Sequence, residues 1–187
     1  MASIVVIQAS PRANGVSSVI TDGLVARLES ASSQPKIMRF DVSEHEIKGC
    51  NGCEYCATHG TCIMQDVMED LIPALLRADY VFVASPVYFS GAPAQFKAVL
   101  DRLQPLFWRR LEKKQTGIGI PQKRPAYLYV VGNGGDPHGF EPLVSEVTSS
   151  LALADLRVNL VQSFIGNKPS KKELLSALTI PEEVFHD

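Results

Sequence analysis

No apolar run in these 187 residues reaches the roughly 18 that a spanning helix needs. The first strand-like run, Ser3-Ile4-Val5-Val6-Ile7, has no basic stretch before it and no long apolar region with a cleavage site after it. The expectation is therefore a cytoplasmic protein that uses no membrane. Charge of one sign is also missing. Eighteen Lys and Arg against twenty Asp and Glu leave a formal charge of −2, no footprint for nucleic acid or an anionic surface. There is no Walker-A pattern and no full G-x-G-x-x-G, which disfavours nucleoside triphosphates and a Rossmann dinucleotide site. No cysteine lies outside residues 50–62. A secreted chain would spread its cysteines to close long loops; clustering points to a metal or redox site in a reducing compartment. The remaining composition, 45% hydrophobic and 20% charged, is ordinarily globular. It suits one domain over 1–187 that needs no staple to fold.

Apolar runs alternate with helical periods. Strands are expected at Ser3–Ala9, Lys36–Asp41, Tyr80–Ala84, Ala126–Val131 and Arg157–Ile165. Between them, Val16, Val19, Ile20, Leu24 and Leu28 recur at helical spacing, as do Phe96, Val99, Leu100 and Leu103, and then Leu143, Val144, Val147 and Leu151. Asp66 with Glu69 has the spacing of a capping box, before an apolar face that Pro73 should kink or delay. Residues 104–125 are irregular and basic and read as a long loop with one helical turn at most. The tail from Ser170 reads as a short helix and a loose end. Strands alternating with helices imply a doubly wound parallel sheet, and five strands suit the flavodoxin-like order 2-1-3-4-5. Ligands of such sheets sit beyond the carboxyl ends of the strands.

Three strand ends carry loop chemistry. Ser10-Pro11-Arg12-Ala13-Asn14-Gly15-Val16-Ser17-Ser18 joins the first strand to a helix start. Free N–H groups there, with the hydroxyls of Ser10, Ser17 and Ser18, can hold a phosphate, and Arg12 can add a charge-assisted bond; plain helix capping by Asn14 or Ser17 would explain the same residues. Pro86, Val87, Tyr88, Phe89 and Ser90 follow the third strand, where aromatic side chains can flank a planar ring or simply cover the sheet edge. Gly132, Asn133, Gly134 and Gly135 follow the fourth and allow either close approach to a ligand or a tight turn.

Together these loops resemble those of the NADPH-dependent FMN reductase and flavodoxin-like superfamily. Ser10, Pro11, Arg12, Gly15 and Ser17 fit its first loop, although Val16 stands where that family often has Asn. Ser85-Pro86-Val87-Tyr88 resembles its second flavin loop, and Lys97 to Arg102 resembles the Lys-x-x-x-Asp-Arg helix that follows. The resemblance spans about residues 1–165. It implies FMN as cofactor, held by these three loops, with no catalytic side chain, since the flavin carries the chemistry. It also implies a homodimer or homotetramer, consistent with the apolar group Leu106, Phe107, Trp108 and Leu111.

The cysteine-rich loop at 49–63 has the spacing C-x2-C-x2-C-x5-C: Cys50, Cys53, Cys56 and Cys62. Structural zinc sites usually use two separated pairs, whereas this compact wrap suits a cubane, and bacterial ferredoxins begin with the same run. The spacing leaves a cluster, free or disulfide-forming thiols, and zinc all open. The segment resembles the iron–sulfur flavoproteins, a branch of the same superfamily with a [4Fe-4S] cluster beside FMN. On that resemblance the chain is expected to pass electrons between FMN, a cluster and a redox partner, either ferredoxin or NAD(P)H. The alternatives are a cluster-free NAD(P)H-dependent FMN or quinone reductase and, from another class, a flavodoxin-like electron carrier. Such carriers tend to be strongly acidic, which a charge of −2 does not match.

Overall fold

The computed structural model describes residues 1–117, 121–166 and 170–185. Five strands form one parallel sheet in the order β2-β1-β3-β4-β5, as the sequence implied. They are β1 (Ser3–Gln8), β2 (Lys36–Asp41), β3 (Tyr80–Pro86), β4 (Arg124–Gly132) and β5 (Leu156–Ile165). The three inner strands are buried over nearly their whole length, while β5 alternates between covered and exposed residues, the mark of an edge strand.

Because side chains alternate across a strand, the sheet builds two cores. Val5, Ile7, Val81, Val83, Leu128 and Val130 meet one set of helices: α3 (Met68–Arg77), α4 (Ala94–Asp101), α5 (Gln104–Gln115) and α6 (Glu141–Ala152). On the other face, Ile4, Val6, Phe82, Tyr127 and Tyr129 meet Ile20, Leu24 and Leu28 of α1 (Val16–Glu29) and Leu174 of α7 (Lys171–Ala177). A further short helix, α2 (Tyr55–His59), lies within the cysteine segment.

Three expectations need correction. Residues 104–115 form a helix, not a loop. Pro105 sits in the first turn, where its missing N–H costs nothing. The basic run is partly structural: Arg110 donates to the Ala152 carbonyl at the end of α6, and the Lys113 ammonium lies 3.9 Å from Asp155. The tail is not loose either. Leu174, Leu178 and Val184 are buried, and the Tyr129 hydroxyl donates to the Thr179 carbonyl at 2.7 Å, so the tail completes the second core. Finally, α3 runs through Pro73. Its N-cap is Val67 rather than Asp66, which lies one residue earlier and accepts the Met68 N–H at 3.0 Å.

Candidate functional site

At the carboxyl edge of β1, β3, β4 and β5 lies an open cavity of about 820 Å³, within the range of small-molecule and cofactor sites. The parallel register delivers the three loops to it together, because β1, β3 and β4 are neighbours and all point the same way. Of the residues expected there, Ser10, Arg12, Gly15, Val16, Ser17, Pro86, Val87, Tyr88, Phe89, Ser90, Gly132, Asn133, Gly134 and Gly135 line it. Asn14 and Ser18 do not. Asn14 is exposed beside it, and Ser18 is turned back into its own helix, its Oγ accepting the Gly15 N–H at 3.1 Å and donating to the Gly15 carbonyl at 2.8 Å. Sequence reasoning did not count as site residues Asp136, which directly follows the glycine run, Phe140, or the end of β5, where Ser163, Phe164 and Ile165, with Gly166 just beyond, close the far wall.

The first loop is set to receive an anion. Gly15 is the N-cap of α1 and has no side chain to cap it, so the first-turn N–H groups face the cavity without a side-chain acceptor. Ser10 is buried and shapes the turn by accepting the Arg12 N–H at 3.1 Å. The second loop is a tight reversal. Tyr88 and Gly91 exchange both backbone hydrogen bonds at 3.0 Å, with Phe89 (φ 49°) and Ser90 (φ 64°) between them. Two left-handed non-glycine residues in succession are strained, of the kind that collects at binding sites. The turn holds Phe89 at the cavity rim, 99% exposed.

The loops are tied to each other. The Ser90 hydroxyl donates to Asp136 Oδ1 at 2.7 Å, and the His138 N–H donates to the same oxygen at 2.9 Å. The Ser90 hydroxyl, with help from that N–H, holds the Asp136 carboxyl below its ordinary value, so it stays an ionised acceptor. Glycine is required at the third loop. A Cβ on Gly132 would come within 2.8 Å of Val87 Cγ1, and Gly134 has φ 79° with Ile165 closing on it. The backbone can therefore lie where a side chain could not, which fits a flat ligand passing close to it.

The cysteines line a second cavity, of about 220 Å³. Gly52 and Glu54 have positive φ, and Asn51 Oδ1 accepts the Cys53 N–H at 3.2 Å, so the chain curls and then enters α2 with Cys56 in its first turn. Cys50 and Cys53 are exposed, Cys62 is half-buried and Cys56 is buried. Burial pushes the Cys56 thiol up, and the nearby Cys62, Cys50 and Cys53 sulfurs push the same way. A cation among them would reverse that. Among the described residues, no group of three or more His, Cys, Asp or Glu closes around a single metal-ion position. Arg102, Pro105, Phe107 and Trp108 line the same cavity. Trp108 shares that lining and is absent from the strand-end cavity; of the apolar group read as an interface, Leu106 is buried in the core, Trp108 and Leu111 are half-buried and Phe107 is 40% exposed.

The sequence model for NADPH-dependent FMN reductase matches residues 2–156. The chain belongs to that family. An iron–sulfur flavoprotein of Archaeoglobus fulgidus is 30% identical over 127 residues, 64% of this chain and 57% of that protein. An FMN-dependent NADH:quinone oxidoreductase of Pseudomonas fluorescens is 24% identical over 184 residues, 88% of this chain and 86% of that one. The chain spans about half the length of the iron–sulfur flavoproteins it matches. Among solved structures, an azoreductase from Bacillus anthracis superposes with a TM-score of 0.67 at 17% identity, covering 95% of this chain and 94% of that one, a likeness of fold. Among the described residues no helix is long and apolar enough to cross a membrane.

Proposed function

We propose that this chain is an FMN-dependent oxidoreductase that also carries a [4Fe-4S] cluster on Cys50, Cys53, Cys56 and Cys62, and exchanges electrons with NAD(P)H or ferredoxin. The observation that carries this reading is the division of labour between two cavities: the three strand-end loops line one and all four cysteines line the other. The match to iron–sulfur flavoproteins supports it. Lack of a single-ion cage does not oppose it, because a cubane spreads its thiolates to separate irons.

When bound, FMN supplies two-electron and one-electron chemistry and a cluster supplies one-electron transfer. The chain's own residues bind and orient. The first turn of α1, with Ser17 and Arg12, takes the phosphate. Tyr88, Phe89 and the backbone of Gly132–Gly135 flank the ring. Asp136 holds Ser90 and so fixes the aromatic turn; no side chain is needed as acid or base. A homodimer or homotetramer in the cytoplasm is part of this reading, with Phe89 as an exposed contact.

The runner-up is a cluster-free NAD(P)H-dependent FMN or quinone reductase, favoured by the reach of the quinone oxidoreductase match along the chain. The absorption spectrum of anaerobically purified protein separates the two. Flavin bands with a broad additional absorbance, and FMN as the mass released by heat, are expected. Flavin bands alone, with rapid NAD(P)H oxidation independent of ferredoxin, would favour the runner-up.

A further inference from the structure

Arg102 is the largest fully buried side chain among the described residues, its side chain 0% exposed. Four of its five N–H donors belong to the two terminal nitrogens, and these are engaged. Nη1 donates to Asp66 Oδ2 at 2.7 Å and to the Lys48 carbonyl at 3.1 Å; Nη2 donates to Asp66 Oδ1 and to the Met64 carbonyl, both at 3.1 Å. The remaining donor, Nε–H, is buried without a hydrogen-bond partner. An unpaired donor in the interior is destabilising, and native proteins rarely leave one without a use. The same side chain lines the cavity that Cys50, Cys53, Cys56 and Cys62 also line. Every residue in the clamp (Lys48, Met64 and Asp66) flanks the cysteine segment.

We propose that Arg102 is a positioning residue of the cysteine site, its Nε–H donating a hydrogen bond to a sulfur of the bound cluster on the Cys62 side. The proposal rests on the cluster reading above and goes beyond it. The Asp66 carboxylate balances most of the guanidinium charge, so Arg102 acts chiefly through one fixed hydrogen bond. Hydrogen bonds to cluster sulfurs make reduction easier, because they stabilise the added negative charge. The clamp would also join the two ends of the cysteine loop before iron arrives.

The test uses full-length protein labelled with ¹⁵N in arginine only, reconstituted anaerobically with iron and sulfide and reduced with dithionite. Pulsed EPR of the reduced wild type should show coupling to one arginine ¹⁵N. In Arg102→Lys, which keeps a charge beside Asp66 but removes Nε–H, the coupling should vanish. At a fixed potential the reduced-to-oxidised ratio should fall about tenfold, a shift of ~59 mV for one electron. The wild-type spectrum needs no variant to fold. An iron-loaded wild type without arginine coupling, or an iron-loaded Arg102→Lys with an unchanged midpoint, overturns the role of Arg102 alone. A wild type that takes up no iron overturns this proposal together with the cluster reading.

Discussion

Arg102 and Asp66 form a paired contact, Nη1 to Oδ2 at 2.7 Å and Nη2 to Oδ1 at 3.1 Å, between the end of α4 and the residue that accepts the first N–H of α3. One carboxylate thus accepts the first N–H of a helix and anchors a buried cation, three residues after the cysteine loop ends. Lys97, earlier on the same helix, pairs outward with Asp101 at 2.6 Å. The Lys-x-x-x-Asp-Arg run therefore splits into an exposed pair of small value and a buried one.

The buried pair has a pH signature. Burial alone would push the Asp66 carboxyl up, but the bonds from Arg102 and the Met68 N–H outweigh it and hold it below the usual carboxylate range. A lowered folded value means that the pair's stabilisation is present above the unfolded pKa of ~3.9 and is lost as pH falls through the folded value. Asp66→Asn should cost about 3 kcal/mol at pH 7, since it leaves Arg102 charged and buried. Urea unfolding of both proteins should show the gap shrinking below about pH 4. A gap that stays constant down to pH 3 would contradict the assignment.

Gly134 tests the third loop. Its φ of 79° and the approach of Ile165 mean that Gly134→Ala must strain the backbone and fill part of the cradle. A loss of about 1–2 kcal/mol in stability is expected, with weaker FMN binding by titration of the apoprotein. A variant that binds FMN as tightly as the wild type would remove this loop from the cradle.

Arg12 is exposed at the rim of the cavity, so its bond to a phosphate is screened by water. Arg12→Ala should weaken FMN by about 1 kcal/mol, roughly fivefold, and the loss should shrink in high salt. Riboflavin, which lacks the phosphate, should bind both proteins equally. A larger effect on riboflavin than on FMN would place Arg12 elsewhere.

The alternation of apolar runs and helical periods made the sheet order and all five strands legible, to within two residues at each end. The strand-end loops were legible because Gly, Pro and Ser concentrate where parallel strands finish. The opposite wall was not. Ser163 to Ile165 carry no loop signal, because there the cavity-lining residues belong to the edge strand itself. Helix α5 was hidden by its polarity and by Pro105. Arg102 was visible only as part of a family motif, because its partners Lys48, Met64 and Asp66 lie far off in the chain and only the fold brings them to it.

Self-association is expected at the rim of the cradle. Phe89 is 99% exposed and Tyr88 40%, on a turn too strained to be kept for solvent contact alone. Sedimentation at micromolar concentration should give a dimer or tetramer, shifted towards monomer in Phe89→Asp. A monomer in the wild type would contradict the expectation.

The central claim is that one chain holds both a flavin and a cluster. Iron, acid-labile sulfide and flavin per chain, measured after anaerobic reconstitution, test it most directly. The account predicts about one FMN and about four irons with matching sulfide, with iron falling sharply and FMN retained in Cys53→Ala. A single tightly held zinc, or FMN with no iron, would contradict it.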